Sequence, residues 1–121
     1  INSVSEIDFS FYQNLNRQRF DKKLEVHLYR ITQEAVNNIL KYSQATKVVI
    51  QLMKYDNELI LTIEDDGIGF NKEAVFARGD NFGLRSMKTR TSSLSGDFNM
   101  DTAPNRGTII TVEIPLKLLV S

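Results

Sequence analysis

The chain has 121 residues, the usual size of one domain, and its 41% hydrophobic content is enough for a single modest core. Fifteen basic residues balance fifteen acidic ones, so no overall field attracts nucleic acid or an anionic membrane, and any phosphate-binding site must be local. The lack of cysteine excludes disulfides and thiolate metal sites, and a single histidine argues against a zinc centre. We therefore expect one domain, residues 1–121, that acts through a specific site and does not bind nucleic acid.

The apolar runs of the sequence are short. None approaches the roughly 20 residues that a membrane-spanning helix needs, and no signal-like segment opens the chain. The chain begins at Ile1 rather than Met, which suggests a fragment of a longer protein. We expect a cytoplasmic domain without direct membrane contact, and a membrane anchor elsewhere in the parent stays open.

The first third of the chain predicts a strand followed by a long helix. Residues 7–11 alternate apolar and polar side chains, which is typical of a half-buried strand. From Asp21 to about Ser43 there is neither Gly nor Pro, and apolar residues recur at helical spacing. These residues are Leu24, Leu28, Ile31, Ala35 and Ile39. The pattern predicts an amphipathic helix with one apolar face.

The middle of the chain predicts a hairpin and then a loop. Residues 47–55 and 58–64 are rich in Val, Ile and Leu, and the pair Asp56-Asn57 between them suits a tight turn. Residues 71–82 show no sustained period and contain Asn, Asp and Gly. We expect this second segment to be a mobile loop, and loops of that length are often functional.

The last third predicts one helix and a second hairpin. The helix is expected from near Gly83 to Leu94, where Ser-Gly gives a common stop signal. Strands are expected at 97–102 and 108–115, joined by a turn rich in Pro, Asn and Gly. Hairpins together with two helices predict an α+β sandwich of two layers, in which one sheet carries the helices on one face.

Glu34 and Asn38 form the first candidate site on the long helix. They lie four residues apart and therefore share a face, with His27, Ile31 and Lys41 on or near the same stripe. A structural alternative, in which Glu34 pairs with Lys41 or another base and Asn38 caps a local group, is equally compatible with the spacing. The pair alone does not decide between binding and structure.

The second candidate is Asp-Asp-Gly-Ile-Gly-Phe at 65–70, which follows a strand whose alternate apolar residues share one face. Asp65 has the same parity, so its carboxylate points to the apolar face if the strand continues, where a bare charge needs a partner. A donor on a ligand would supply that partner, and Gly67 and Gly69 would let a ligand approach the backbone closely. The alternative is an ordinary Asp-Gly turn at the end of the strand.

The third candidate is Asn81-Phe82-Gly83-Leu84-Arg85, where a glycine opens the second helix. The first N–H groups of such a helix are accessible and can bind phosphate. Arg85, Lys88 and Arg90 follow in the same helix, and each cation opposes the helix dipole by roughly 0.3 to 1 kcal/mol unless an anion binds there. The alternative is a solvated basic helix face.

Four segments, taken in this order, resemble the ATP-binding domain shared by sensor histidine kinases, type II topoisomerases, a mismatch-repair ATPase and a heat-shock chaperone. Residues 29–42 resemble the N box of the histidine kinases that work with helix-turn-helix response regulators. Residues 65–70 resemble the G1 box, residues 82–90 the glycine-leucine box and its helix, and residues 107–115 the closing strand. The resemblance spans nearly the whole chain. It implies a Bergerat fold, with one mixed, mainly antiparallel sheet.

The resemblance implies ATP and Mg²⁺ as cofactors and assigns the phosphate end of the site. Asn38 would supply a side-chain oxygen to Mg²⁺, an ion that prefers oxygen ligands. Glu34 would orient a metal-bound water or act as a base, and Lys41 would approach the phosphates. The phosphate tail would be held by Gly83, Leu84 and Arg85.

The same resemblance assigns the base end. Asp65 would accept a hydrogen bond from the adenine amino group, and Thr108 would support that contact through water. Gly67 and Gly69 would shape the base pocket. In isolation, Gly107-Thr108 is more typical of the end of a hairpin turn than of a binding site.

The sequence departs from the family pattern at two positions. Tyr42 stands where a histidine is common in this group, which implies an altered polar contact near the phosphates. Asn81 stands where a more glycine-rich lid often begins, which implies a stiffer lid or a changed affinity of the lid. His27 has no adjacent acidic residue, so we expect a structural role for it on the helix face rather than that of a phosphoacceptor.

The function implied is that of the catalytic domain of a two-component sensor histidine kinase. Its partners would be the dimerisation helices of the parent, which carry the phosphoacceptor histidine, and a response regulator served by the parent. Because those helices are absent here, the chain should bind ATP as a monomer without autophosphorylation. Two alternatives are an anti-sigma-type serine kinase and a degenerate binding module. The intact Glu34, Asn38 and Asp65 argue against the degenerate module.

Overall fold

The computed structural model describes residues 6–69 and 83–116. The predicted loop at 71–82, which includes Asn81 and Phe82, lies outside the described residues, as does Phe70. The elements follow in the order β1 Asp8–Gln13, α1 Lys22–Asn38, a π-helical segment Ile39–Ser43, β2 Lys47–Tyr55, β3 Glu58–Asp65, α2 Leu84–Ser93, β4 Asp97–Thr102 and β5 Thr108–Pro115. Within these residues, no helix is both long enough and apolar enough to cross a membrane.

The five strands form one sheet in the order β1-β2-β3-β5-β4. β1 runs parallel to β2, and every other neighbouring pair is antiparallel. A parallel pair needs a crossover connection, and α1 supplies it between β1 and β2. The sheet is therefore mixed and mainly antiparallel, as predicted.

The core lies between one face of the sheet and the two helices. Alternate residues of β3 and β5 point to this face, and α1 contributes one residue per turn. The fully buried side chains in this layer include Ile31, Val48, Leu59, Ile63, Met87, Val112 and Ile114. Packing of helices on one face of the sheet confirms the predicted two-layer α+β architecture.

The strands agree with the sequence prediction except at the first one. β2, β4 and β5 have the predicted bounds, and β3 extends one residue further, to Asp65. β1 covers residues 8–13 rather than 7–11, and Phe9 and Phe11 are 43% and 60% exposed. The prediction of a half-buried strand was wrong, because β1 forms the edge of the sheet and the described residues leave these two side chains largely uncovered.

The long helix changes geometry near its end. α1 ends at Asn38, and the last five residues of the predicted helix are π-helical. The hydroxyl of Ser43 donates to the backbone oxygen of Ile39 at 2.9 Å, the acceptor that the amide of residue 43 would reach in an α-helix. Gln44 then takes a left-handed conformation, with φ of 55°, and ends the helix. The side chain of Ser43 thus replaces a backbone bond at the wider turn.

Candidate functional site

A cavity of about 170 Å³ opens between the helices and the sheet. Its wall is largely apolar and is formed by Ala35, Ile39, Ile63, Ile68, Gly69, Leu84, Met87, Met100 and Ile110. The polar residues on the wall are Asn38, Tyr42, Ser43, Asp65 and Thr108. Concave apolar walls with a few polar groups are typical of sites for small molecules.

Asp65 lines this cavity. It is the last residue of β3, is only 6% exposed, and has Val48 and Thr108 as its neighbours on the flanking strands. Its Oδ1 accepts a hydrogen bond from the backbone N–H of Gly67 at 2.8 Å. The strand therefore continues far enough to turn this carboxylate to the apolar face, as its parity predicted.

The environment of Asp65 opposes its charge. Burial raises the pKa of this carboxyl, and the Gly67 hydrogen bond offsets the rise only in part, while the charges of Asp66 and Glu64 add to it. Among the described residues no donor reaches Oδ2, and none of their fully buried side-chain polar atoms lacks a partner. Oδ2 is therefore open to the cavity, where it can accept from a ligand.

Asp66 occupies the opposite environment. Its Oδ1 accepts from the backbone N–H groups of Thr46 and Lys47 at 2.8 and 2.9 Å, and its Oδ2 accepts from the Thr46 hydroxyl at 2.7 Å. These donors, with the Lys47 amide first among them, lower the pKa of Asp66. Asp66 therefore fixes the start of β2 to the end of β3 and does not line the cavity.

Thr108 faces the cavity beside Asp65 and is only 8% exposed. Its hydroxyl oxygen lies 2.7 Å from that of Thr102, its partner on β4. The Thr102 hydroxyl in turn donates to the backbone oxygen of Gly107 at 3.1 Å. A chain of polar groups thus runs behind Thr108 to the turn between β4 and β5.

Residues 65–69 are held on both sides. The amide of Ile68 donates to the backbone oxygen of Ser43 at 2.8 Å, and the oxygen of Ile68 accepts from the amide of Asn105. A β-carbon on Gly67 would clash with the backbone of Ser43, and Gly69 has φ of 64° with a backbone oxygen of the β4–β5 turn directly against it. Gly69 lines the cavity, whereas Gly67 packs behind it against the π-helical segment.

Three predicted residues of α1 and the π-helical segment differ in burial and in their relation to the cavity. Asn38 lines the cavity, Glu34 is partly buried one turn earlier, and Lys41 is exposed. No ion pair joins Glu34 to Lys41 in the described part of the chain. The carboxylate of Glu34 instead lies against Gly83, where a β-carbon would clash with it.

α2 begins beside this carboxylate. Gly83 has φ of 67° and caps the helix without a side-chain hydrogen bond, and no acidic residue lies in the first turn. Leu84 is buried and lines the cavity, whereas Arg85 and Lys88 are exposed. The structure therefore brings Glu34 and Gly83 together, and the next residue, Leu84, lines the cavity at the start of α2.

His27 joins the two helices away from the cavity. Its Nδ1 lies 3.2 Å from Nη1 of Arg90, and its Nε2 lies 3.1 Å from the hydroxyl of Ser93. Arginine can only donate, so Nδ1 accepts and Nε2 carries the hydrogen of the neutral ring. Burial, followed by the charges of Arg90 and Lys23, lowers the pKa of His27. This bridge between helices agrees with the structural role expected for His27.

Sequence reasoning missed most of the apolar wall and two polar supports. Met87, Met100 and Ile110 line the cavity but have the pattern of ordinary core residues. Pairing the predicted strands would have identified part of this set. Met100, Ile110 and Ile63 lie opposite one another on neighbouring strands, two residues along from the Thr108–Asp65 pair. The contacts of Ser43 and Thr102 left no recognisable signal in the sequence.

Comparisons with known proteins agree with this geometry. Residues 23–118 match the family described as histidine kinase-, DNA gyrase B-, and HSP90-like ATPase. The oxygen sensor histidine kinase NreB of Staphylococcus carnosus is 38% identical over 110 residues, which are 91% of this chain and 31% of that protein. The sensor protein VraS of Staphylococcus aureus is 40% identical over 95 residues, which are 78% of this chain and 27% of that protein. The chain thus spans less than a third of these relatives.

Solved structures share the fold. The histidine kinase domain of the blue-light activated kinase EL346 of Erythrobacter litoralis superimposes with a TM-score of 0.74 at 22% identity, over 92% of this chain and 52% of that one. The histidine kinase AdeS of Acinetobacter baumannii gives a TM-score of 0.76 at 19% identity, over 93% and 56% of the two chains. The fold is the predicted Bergerat fold. The chain belongs to the family of histidine kinase-, DNA gyrase B- and HSP90-like ATPases.

Proposed function

We propose that this chain is the ATP-binding catalytic domain of a two-component sensor histidine kinase. It would supply the γ-phosphoryl group of ATP to a histidine on dimerisation helices outside this chain. The observation that carries the proposal is the buried Asp65, which has one oxygen bound by Gly67 and the other open to an apolar cavity. The names of the relatives NreB and VraS support the choice of a sensor kinase within the family.

The base end of the cavity suits adenine. Its apolar walls would cover the faces of a purine ring, and Oδ2 of Asp65 would accept from the exocyclic amino group. A buried carboxylate that lacks a second donor gains more from such a bond than an exposed one, because water does not compete for it. Thr108 lies beside Asp65 on the next strand and would bind the same edge of the base.

The phosphate end would lie at the mouth of the cavity. The first N–H groups of α2 have no side-chain cap and would bind phosphate oxygens together with Arg85. Lys41, on the exposed side of the π-helical segment, would approach the same phosphates. Glu34, held against Gly83, would orient a water or accept a proton as phosphoryl transfer begins.

The residues at this mouth fit Mg²⁺ better than a metal held by protein alone. The described residues contain no group of three or more His, Cys, Asp or Glu that could hold a metal ion. Mg²⁺ usually takes one or two protein oxygens and completes its shell with water and phosphates, so the side-chain oxygen of Asn38 would be its ligand. When bound, the ion would neutralise charge on the phosphates during transfer.

The proposal includes two partners and a location. The dimerisation helices of the parent would present the phosphoacceptor histidine, and a response regulator would receive the phosphoryl group afterwards. A cytoplasmic location is part of the proposal, because ATP and response regulators are both found there. Tyr42, on the cavity wall, would also contact the nucleotide.

Nucleotide binding can be tested by thermal unfolding. A ligand that binds only the folded state stabilises it by about 2.7 kcal/mol at 100 times its Kd, which is several degrees in the melting temperature of a domain of this size. We expect millimolar MgATP to raise the melting temperature by that amount, and ATP with EDTA to raise it less. An unchanged melting temperature with MgATP would contradict the proposal.

Phosphoryl transfer can be tested by adding the dimerisation segment of the parent to this chain. Glu34→Gln should bind MgATP within about twofold of wild type and slow transfer about 100-fold or more, as expected for loss of a general base. The product should be acid-labile phosphohistidine. Acid-stable phosphoserine would favour the anti-sigma-type kinase, and a loss of binding in Glu34→Gln would contradict its assignment as a base.

A further inference from the structure

Thr102 supplies a donor that a buried backbone group needs. Its hydroxyl lies 3.1 Å from the backbone oxygen of Gly107, and a carbonyl oxygen can only accept. Gly107 is buried, and no backbone N–H in the described part of the chain donates to its oxygen. Buried carbonyl groups are almost always paired, so the hydrogen of Thr102 belongs to Gly107.

This assignment decides the direction of the short contact between two hydroxyl groups. The oxygens of Thr102 and Thr108 lie 2.7 Å apart, and either could donate by geometry alone. A threonine hydroxyl has one hydrogen, and that of Thr102 is already directed to Gly107. Thr108 is therefore the donor, and its hydrogen points to β4 and away from the cavity.

The base end of the cavity consequently offers acceptors. Thr108 presents only lone pairs to the cavity, and Asp65, its neighbour on β3, presents Oδ2 while Gly67 occupies Oδ1. Two adjacent acceptors suit a base edge that donates, such as a 6-amino group, and repel a 6-oxo group. We infer that Thr102 is a positioning residue that holds Thr108 as an acceptor and so makes the site selective for 6-aminopurine over 6-oxopurine nucleotides. The inference rests on the proposed nucleotide function and specifies its base.

Thr102→Val tests this role. Valine keeps the branched shape and the strand preference but removes the hydroxyl, so the hydrogen of Thr108 is free to turn to the cavity. It can then donate to the 6-oxo group of inosine triphosphate. We expect the ratio of the Kd for MgITP to the Kd for MgATP to fall about fivefold, the value of one neutral hydrogen bond. Titration calorimetry on the 121-residue chain measures both constants.

Two matched variants separate this role from general packing. Thr102→Ser keeps a hydroxyl at the same place and should keep the wild-type ratio. Thr111→Val makes the same chemical change in the neighbouring strand, on the sheet face that does not line the cavity, and should leave the ratio unchanged. A loss of stability in any variant changes its melting temperature, whereas only the proposed role changes the choice between bases.

The measured dissociation constants test the role of Thr102 separately from the nucleotide site itself. A wild-type ratio in Thr102→Val, or an equal fall in Thr111→Val, overturns the role of Thr102 while the nucleotide site stands. A wild-type chain that binds neither nucleotide overturns the proposed function and this inference with it. If Thr102→Val does not fold, Thr102→Ala removes the same hydroxyl and gives the same test, with the same expected fall.

Discussion

Asp65 and Asp66 are neighbours in the chain but lie in opposite environments. Asp65 is buried at the end of a cavity, bonds one N–H donor and has a raised pKa. Asp66 lies on the surface, accepts three hydrogen bonds from Thr46 and Lys47 and has a lowered pKa. One carboxylate accepts a single hydrogen bond from the protein, and the other accepts three.

The number of donors that each carboxylate finds in the protein distinguishes a binding group from a structural one. Successive residues of a strand point to opposite faces, so one step along β3 moves a carboxylate from the core side to the outside. A buried charge without enough donors costs stability in the free protein, and a ligand can repay that cost. A carboxylate with all its donors in the protein has little left to offer a ligand.

The largest expected effect that bears on this comparison is the loss of nucleotide affinity in Asp65→Asn. Asparagine keeps an oxygen for the N–H of Gly67 but presents an NH₂ donor to the cavity in place of Oδ2. We expect the affinity for MgATP to fall about 10- to 100-fold, the value of a hydrogen bond to a charged group. Titration calorimetry measures the fall. Wild-type affinity in this variant would show that Asp65 does not bind the base.

Asp66→Asn is the matched control one residue away. We expect MgATP affinity within about twofold of wild type. The free energy of unfolding should fall by about 1 kcal/mol, because the donors of Thr46 and Lys47 lose a charged partner that solvent partly screens. Urea unfolding measures the change. If the affinity falls as far as in Asp65→Asn, the division of roles between the two carboxylates is wrong.

The free energies of unfolding of the same two variants should differ from wild type with opposite signs at neutral pH. The two differences should disappear over different pH ranges as pH is lowered. The burial cost of charged Asp65 makes Asp65→Asn more stable than wild type at neutral pH, and this advantage disappears as pH falls through the raised pKa toward about 3.9. The deficit of Asp66→Asn persists to lower pH, and disappears only as pH falls from about 3.9 through the lowered pKa. Urea unfolding between pH 3 and 7 tests both, and identical profiles would contradict the assignment.

The smallest expected effect concerns His27 and gives a reference titration far from the carboxylates. The folded state disfavours its protonation, so its contribution to stability is complete above the unfolded pKa of about 6.5 and is lost as pH falls through the lower folded pKa. His27→Gln can still accept from Arg90 and donate to Ser93, and it should remove the loss of stability just below pH 6.5. Unfolding midpoints at pH 7.5 and 5.5 measure it, and an unchanged pH dependence would contradict the bridge.

Much of the fold was predictable because local patterns and tertiary structure agree. The Val-, Ile- and Leu-rich composition of 47–55 and the turn residues between 97–102 and 108–115 predicted the bounds of β2, β4 and β5. Parity along β3 also predicted correctly that the Asp65 side chain points to the apolar face. β1 failed because alternation predicts two faces but not whether another layer covers either of them.

The rest of the candidate site depends on contacts that sequence patterns do not contain. Met87 and Met100 have the pattern of core residues whether the space beside them is filled or open. In the π-helical segment, the Ser43 hydroxyl bonds the backbone oxygen of Ile39. Thr108 directs its hydrogen to Thr102 because the hydrogen of Thr102 is donated to the backbone oxygen of Gly107, a residue distant from Asp65 in the chain. Spacing along the sequence cannot reveal such arrangements.

The parallel pairing of β1 with β2 has a consequence for the order of folding. The pairs β2–β3 and β4–β5 are joined by short turns, whereas β1 reaches β2 only after the whole of α1 has folded back between them. Closing a long loop costs chain entropy before any contact repays it. We therefore expect β1 to join the sheet after the two hairpins have formed. Its amide hydrogens should exchange with solvent sooner than those of the central strand β3.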